Sequence, residues 1–163
     1  DLMIAVSIGV IFSILRSSKE INLIFKSRFQ HKIIPFYKSD FILKKNNINK
    51  YLDLPVSVLQ PQGPLFFGSV QPLINTYSQA PYHEILVIDM SQVTMIDLSG
   101  SFTLEDLINN IKSKNIKVFI SNIDDNIKHR LEKMDFFKQI DINSNNSKSS
   151  IASLVLQHYK KVN

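Results

Sequence analysis

The sequence has 163 residues and no cysteine. Disulfides, thiolate metal centres and a cysteine nucleophile are thereby excluded. Only four histidines occur, and none has the spacing of a zinc-binding helix motif. Glycine is equally scarce, with Gly9, Gly63, Gly68 and Gly100 scattered along the chain. A phosphate-cradling loop needs clustered glycines followed by Lys and Ser or Thr, so that backbone N–H groups can approach the phosphates. This scatter supplies none. The Gly-x-Ser-x-Gly nucleophile elbow is missing too: Asp97 and Ser101 stand two residues either side of Ser99.

What is present is globular in composition: 44% apolar and 20% charged residues, in a length suited to one ordinary domain. The net charge of +5 is not evenly spread. Residues 1–54 hold nine Lys/Arg and four acids, whereas residues 55–163 hold ten of each. A nucleic-acid-binding domain carries its basic patch on the folded part. Here that part is neutral, so a nucleic-acid partner is not expected. The first residue is Asp1 rather than Met, and the chain is read as a piece of a longer protein.

The first third explains the charge. Residues 2–15 form an uncharged run, LMIAVSIGVIFSIL, in which Ser7, Gly9 and Ser13 are the only members that are not apolar. As a helix it would cover roughly 21 Å of a ~30 Å hydrocarbon core. A signal peptide has a basic stretch before the apolar run, not after it. In this chain Arg16, Lys19, Lys26 and Arg28 follow, as at the cytoplasmic end of a membrane helix. Residues 1–18 are therefore read as the end of a transmembrane helix, the alternative being a buried N-terminal helix of a soluble protein. Residues 19–53, rich in Lys, Asn and aromatics and flanked by Pro35 and Pro55, are read as a basic connector, either solvated or lying against anionic headgroups.

The neutral region, 54–163, has the periodicity of an α/β domain. Val56–Gln60 and Leu65–Phe67 have strand character, and Pro61-Gln62-Gly63-Pro64 between them has turn chemistry, which predicts a hairpin. Gly68-Ser69 offers an N-cap for a helix carrying Val70, Leu73, Ile74 and Tyr77. The apolar run within Glu84–Asp89 suits a strand buried on both faces. A loop over Val93–Gly100, with one short apolar step at Met95-Ile96, leads to a helix over 100–114. Phe102, Leu107, Ile108 and Ile111 are expected on its buried face. A strand at Ile116–Ile120 completes a βαβ unit with parallel strands. Asp124 is placed to cap a helix carrying Ile127, Leu131 and Met134. Gln139-Ile140 would be an edge strand, Asn143–Ser150 a polar loop, and Ile151, Leu154, Val155 and Tyr159 mark a last helix. The expected fold class is α/β: a small sandwich with a mixed, mostly parallel sheet of four or five strands, an N-terminal hairpin and about four helices.

Few residues suggest chemistry. Asp89, at a strand end, is placed like the phosphoacceptor of receiver domains and haloacid-dehalogenase enzymes, but Asp89-Met90-Ser91 lacks the second acid that holds magnesium there. His83 and His129 read as ordinary surface positions. The conspicuous segment is Asp97-Leu98-Ser99-Gly100, in a loop that opens a helix. Ser99 can be an N-cap, which serine fills well. It can also be a phosphorylation site, since a phosphate at a helix N-terminus meets free N–H donors. Asp97 would oppose that charge and push the loop outward.

The run Val87–Gly100, followed by Leu104-Glu105-Asp106-Leu107, resembles the STAS domain, named for sulfate transporters and anti-sigma-factor antagonists. Upstream, Gly63-Pro64-Leu65-Phe66-Phe67-Gly68-Ser69 resembles the hairpin and first helix start of its sulfate-permease (SulP) branch, and Asp1–Val10 resembles that branch's last transmembrane helix. The resemblance covers residues 1–18 and about 54–160, with three segments in the family's order. It makes Gly63, Pro64, Phe66, Phe67, Gly68 and Asp89 family-motif positions, and Asp97, Ser99 and Gly100 the regulatory loop. Ser99 occupies the place of the serine that an anti-sigma kinase phosphorylates in the soluble antagonists.

It implies a non-enzymatic regulatory and assembly module of a secondary transporter of sulfate or a related anion. The implied partners are the transporter's own membrane domain, a second copy through the full-length protein, and a regulatory protein or nucleotide. No cofactor and no metal are implied. Residues 19–163 would lie on the cytoplasmic side of the inner or plasma membrane. The competing expectation is a soluble phospho-switch protein of the antagonist kind that uses Ser99.

Overall fold

Alternation of apolar side chains along three central strands decides the architecture, because successive residues of a strand face opposite sides. A computed structural model describes residues 4, 6–14, 16, 30–42, 48–133, 141–143 and 148–162. In it β1 (Lys32–Pro35), β2 (Val56–Gln60), β4 (Ile85–Asp89), β6 (Lys117–Ser121) and β7 (Asp141–Asn143) form a five-stranded sheet in the order β1-β2-β4-β6-β7. The β1–β2 pair is antiparallel and the other three pairs are parallel. Two further strands, β3 (Gln62–Leu65) and β5 (Gln92–Ile96), form a separate parallel pair. Besides the N-terminal helical residues, four helices are described: α1 (Phe67–Ser78), α2 (Leu98–Ser113), α3 (Asp125–Glu132) and α4 (Lys148–Val162). The mixed, mostly parallel α/β sandwich expected from the sequence is the fold observed.

Leu59, Leu86, Ile88, Val118 and Ile120 point to one face, where they meet Leu73 of α1, Leu104, Leu107, Ile108 and Ile111 of α2, and Ile127 and Leu131 of α3. Val56, Val58, Ile85, Val87 and Phe119 point to the other, where they meet Ile151, Ala152 and Val155 of α4. All five residues of β4 are buried, as its uninterrupted apolar run predicts for a central parallel strand. The βαβ unit is β4–α2–β6, in register from Ile85 opposite Lys117 to Asp89 opposite Ser121.

Several expectations are corrected. The hairpin partner of β2 is β1 and not the strand that follows it. Only Pro61 separates β2 from β3, too little chain to reverse direction, so the strand bends into the second sheet. Gly63, with φ of 75°, lies beside a register irregularity in β3, and Pro64 can donate no ladder hydrogen bond. Residues 93–96, expected within a loop, belong to β5 and pair with β3. Phe102 is 53% exposed, because at about 3.6 residues per turn it lies across the helix from the Leu104–Ile111 stripe.

The folded unit also extends upstream of residue 54. β1 and a 3-10 turn at Phe36–Lys38 belong to it, and Phe36, Phe41, Ile42 and Tyr51 are buried in the α4-side core. The Phe36 ring lies 6.0 Å from those of Phe41 and Tyr51. Ile4, Val6, Ile8, Val10, Ile11, Phe12 and Ile14 of the N-terminal helical residues are more than half exposed. No helix among the described residues is long and apolar enough to cross a membrane. Met134 and Gln139-Ile140 lie outside the described residues.

Candidate functional site

The two segments singled out in the sequence, Phe66–Gly68 and Asp97–Gly100, meet in space because β3 and β5 are paired and each feeds a helix. The ladder is continued past the strands by Asp97 N–H, which donates to the Leu65 carbonyl at 3.1 Å. Asp97, not Ser99, is the N-cap of α2: its Oδ1 accepts from Gly100 N–H at 2.6 Å. Ser99 sits inside the first turn, where its hydroxyl donates to Asp97 Oδ1 at 2.8 Å and accepts from Phe67 N–H at 3.1 Å. It thereby links the first turns of α1 and α2. The Gly100 N–H bond, with help from the Ser99 hydroxyl, holds the Asp97 carboxyl below the usual carboxylate range.

Gly100 is there for want of room. A Cβ on it would fall on the Leu65 carbonyl and stand 3.0 Å from Phe66 N. Ser69 likewise is not the N-cap of α1 but reaches back to it. Its Oγ accepts from Phe66 N–H at 2.9 Å and lies 3.0 Å from the Phe66 carbonyl. Gly68 is exposed, and a Cβ there would press on the Phe66 ring. Around this junction Phe67, Leu98, Phe102 and Met95 are 76%, 68%, 53% and 49% exposed, respectively. Leu98 and Phe102 are four residues apart on one helix face, so they form one apolar ridge beside Ser99.

Asp89 belongs to a different network, at the C-terminal edge of the main sheet. The residue is 4% exposed. Oδ1 accepts from Asn122 Nδ2 at 2.8 Å and from Ser91 N–H at 3.1 Å, and Oδ2 accepts from Gln60 Nε2 at 3.2 Å. These neutral donors tie together the ends of β2, β4 and β6. Asn122 performs this from the left-handed region, with φ of 54°. Gln60 and Asn122 carried no signal as isolated polar residues in the sequence.

His83, expected at the surface, is 8% exposed. Its Nδ1 lies 2.7 Å from the Pro81 carbonyl and its Nε2 lies 3.3 Å from the Tyr77 hydroxyl. Burial pushes the Tyr77 phenol above its ordinary value. His129 is exposed, as expected. His31, which sequence reasoning passed over, is also 8% exposed and touches the α1 side of the junction. The usable signal was the short apolar pair Ile33-Ile34 that follows it.

Residues 47–151 match the family model of the STAS domain. The chain belongs to the STAS-domain family. Among characterised proteins this STAS chain is similar to the bicarbonate transporter BicA of Synechocystis sp. (strain ATCC 27184 / PCC 6803 / Kazusa). The two are 27% identical over 143 residues, which is 85% of this chain and 24% of that protein. Among solved structures it is similar to a sulfate transporter family protein from Wolinella succinogenes, with a TM-score of 0.52 and 19% identity over 64% of this chain and 89% of that one. It is also similar to the murine Solute Carrier 26 family member A9 anion transporter in its inward-facing state, with a TM-score of 0.53 and 20% identity over 88% of this chain and 23% of that one. At such identities the two structures speak for the fold. The chain spans about a quarter of the length of the bicarbonate transporter and of the murine transporter.

Proposed function

We propose that this STAS domain is the cytoplasmic regulatory and assembly module of a SulP-type secondary transporter of sulfate or a related anion, and that it performs no chemistry itself. The observation that carries the reading is the reach of the similarity to the bicarbonate transporter. Its 143 residues exceed the span of the STAS match, so the likeness runs beyond the domain. The exposed apolar N-terminal helix supports it, since a large exposed apolar surface marks a site of contact with a membrane or a partner. In this reading residues 1–18 end a transmembrane helix, and the rest of the chain lies in the cytoplasm.

The Phe67–Leu98–Phe102 ridge is the surface by which the domain would contact the membrane domain of its own transporter, and a second copy would be held through the full-length protein. A regulatory protein or a nucleotide remains a partner within the same reading.

Flotation with phospholipid vesicles tests it. The full chain should rise with the vesicles, and a chain lacking residues 1–18 should stay behind. A full chain that remains monomeric in detergent-free buffer, away from the vesicles, would refute the membrane assignment. Uptake of labelled sulfate and bicarbonate by the longer gene product, with and without residues 30–163, tests the regulatory role.

The second reading, a phospho-switch of the antagonist kind, has one observation in its favour: Ser99 Oγ bridges two helix starts. A phosphate there would replace the bond to Asp97 by repulsion. Vesicle-independent behaviour, together with phosphorylation of Ser99 by a partner kinase, would select it.

A further inference from the structure

At the end of the main sheet opposite Asp89, a crevice of about 440 Å³ opens between two connections, the one that leads into β4 and the one that leads from α2 into β6. A crevice of that size suits a small ligand. The backbone fixes both walls. On one side Glu84 N–H donates to the Pro55 carbonyl at 2.8 Å, and the Glu84 carbonyl accepts from Lys117 N–H at 2.9 Å. His83 stiffens the same wall. Its Nδ1 meets the Pro81 carbonyl and its Nε2 the Tyr77 hydroxyl, so the ring gives the crevice its shape and not a ligand bond. On the other side Lys114 N–H and Asn115 N–H donate to the Ile111 and Lys112 carbonyls at 3.1 and 3.0 Å. Asn115 then turns the chain toward β6 from the left-handed region, with φ of 61°.

The crevice carries one charge of each sign. Glu84 stands on one wall and Lys114 on the other. They are not paired with each other: among the described residues the ion pair is that of Lys128 with Glu132. A local bond keeps Glu84 in place. The Tyr82 hydroxyl donates to its Oε1 at 2.8 Å, which leaves Oε2 to a further donor. Lys114 offers the three N–H donors of its ammonium group. The remaining surface is apolar: Pro81, Ile116 and the ring of Tyr82, a residue that is 81% exposed.

We propose that this crevice binds the zwitterion of a free α-amino acid with an apolar side chain. The ammonium group donates to Glu84, the carboxylate accepts from Lys114, and the side chain lies on the Tyr82 ring and Ile116. A dipolar ligand answers both walls at once. A simple anion would be repelled by Glu84, and a simple cation by Lys114. The site stands on the fold and is independent of the transporter reading. Its ligand would tie the start of β4 to the end of α2, the helix whose first turn carries Ser99. Within the transporter reading, that would let the regulatory domain respond to the supply of an amino acid.

The test is addition of L-leucine, to about 50 mM, to the isotope-labelled full chain in detergent micelles, followed by NMR of the backbone amides. The amides of Tyr82, Glu84, Asn115 and Ile116 should shift together and saturate with a dissociation constant of about 1–10 mM. Two fragments of the same ligand separate its charges. Isoamylamine is leucine without the carboxylate, and 4-methylpentanoate is leucine without the ammonium group. Each should bind at least about fivefold more weakly than leucine. Glu84→Gln should weaken leucine by about fivefold and leave 4-methylpentanoate no weaker. Lys114→Gln should weaken leucine by about fivefold and leave isoamylamine no weaker. Glu84 and Lys114 are both exposed, so neither substitution puts the fold at stake. Shifts that do not saturate, fragments that bind as tightly as leucine, or a variant that binds leucine as the original chain does would each overturn the site.

Discussion

Replacing Gly100 by alanine probes the closest backbone approach at the site. The new Cβ would fall on the Leu65 carbonyl, where both neighbours are main chain and neither can swing aside. Ordinary contact begins at about 3.5 Å, so the start of α2 would have to retreat by about 1 Å. That retreat pulls on two bonds, Asp97 N–H to the Leu65 carbonyl and Phe67 N–H to Ser99 Oγ, both 3.1 Å long. Each is worth ~1 kcal/mol net. Forcing an extra carbon into a packed site adds ~1–3 kcal/mol. Alanine returns ~1 kcal/mol of helix propensity. The expected loss is therefore ~2–4 kcal/mol, read as a lowered midpoint in urea unfolding followed by circular dichroism. Gly68→Ala is the control. Its Cβ would meet the edge of the Phe66 ring, which can turn, so the cost should stay below ~1 kcal/mol. A Gly100→Ala chain as stable as the original would show that α2 moves freely off β3 and would refute the reasoning.

Phe36→Ala should cost ~3–5 kcal/mol in the same unfolding assay, because the ring is 1% exposed and packs on Phe41 and Tyr51. A change under ~0.5 kcal/mol would mean that residues 30–42 are a linker after all. Asp97→Ala should cost ~1 kcal/mol as a lost helix cap. Because the Asp97 carboxyl is held low in the folded chain, its contribution is complete above the unfolded value near about pH 4 and fades as the pH falls through the folded one. Asp97→Asn should remove that part of the acid dependence, and an identical acid limb in the two chains would contradict the assignment. Asn122→Ala should cost ~1–3 kcal/mol, since it withdraws a donor from the buried Asp89 carboxylate. Guanidinium unfolding with an unchanged midpoint would show that another donor replaces it.

The parts of the fold legible in the sequence are those with a strong period. The apolar run of β4 and the Leu107, Ile108 and Ile111 positions of α2 follow one period, and both elements lie where it puts them, although Phe102 faces outward and Leu104 takes the buried place. Strand pairing was less legible, because it depends on the path of the chain and not on the strand itself. Pro61 alone cannot turn a hairpin, yet Pro61–Pro64 has turn composition. β1 was hidden for a related reason. Four residues ending in a proline carry too little alternation to stand out from a Lys- and Asn-rich background. The cap of α2 was misplaced by two residues, since Asp97 and Ser99 are both good caps and only the distance to Gly100 N–H separates them.

The candidate site divides along the same line. Its motif residues were readable because they lie consecutively, in Phe66–Gly68 and Asp97–Gly100. Its long-range members were not, because a hydrogen bond to a backbone carbonyl leaves no trace in the identity of the acceptor. His31 is the clearest instance: it meets the Ser69 carbonyl and the Gln62 amide, which any residue at those positions would supply. A residue chosen to match another segment's backbone constrains its own position and not its partner's. The contact of His31 with α1 and β3 follows from the pairing of β1 with β2, which no single residue of either strand announces.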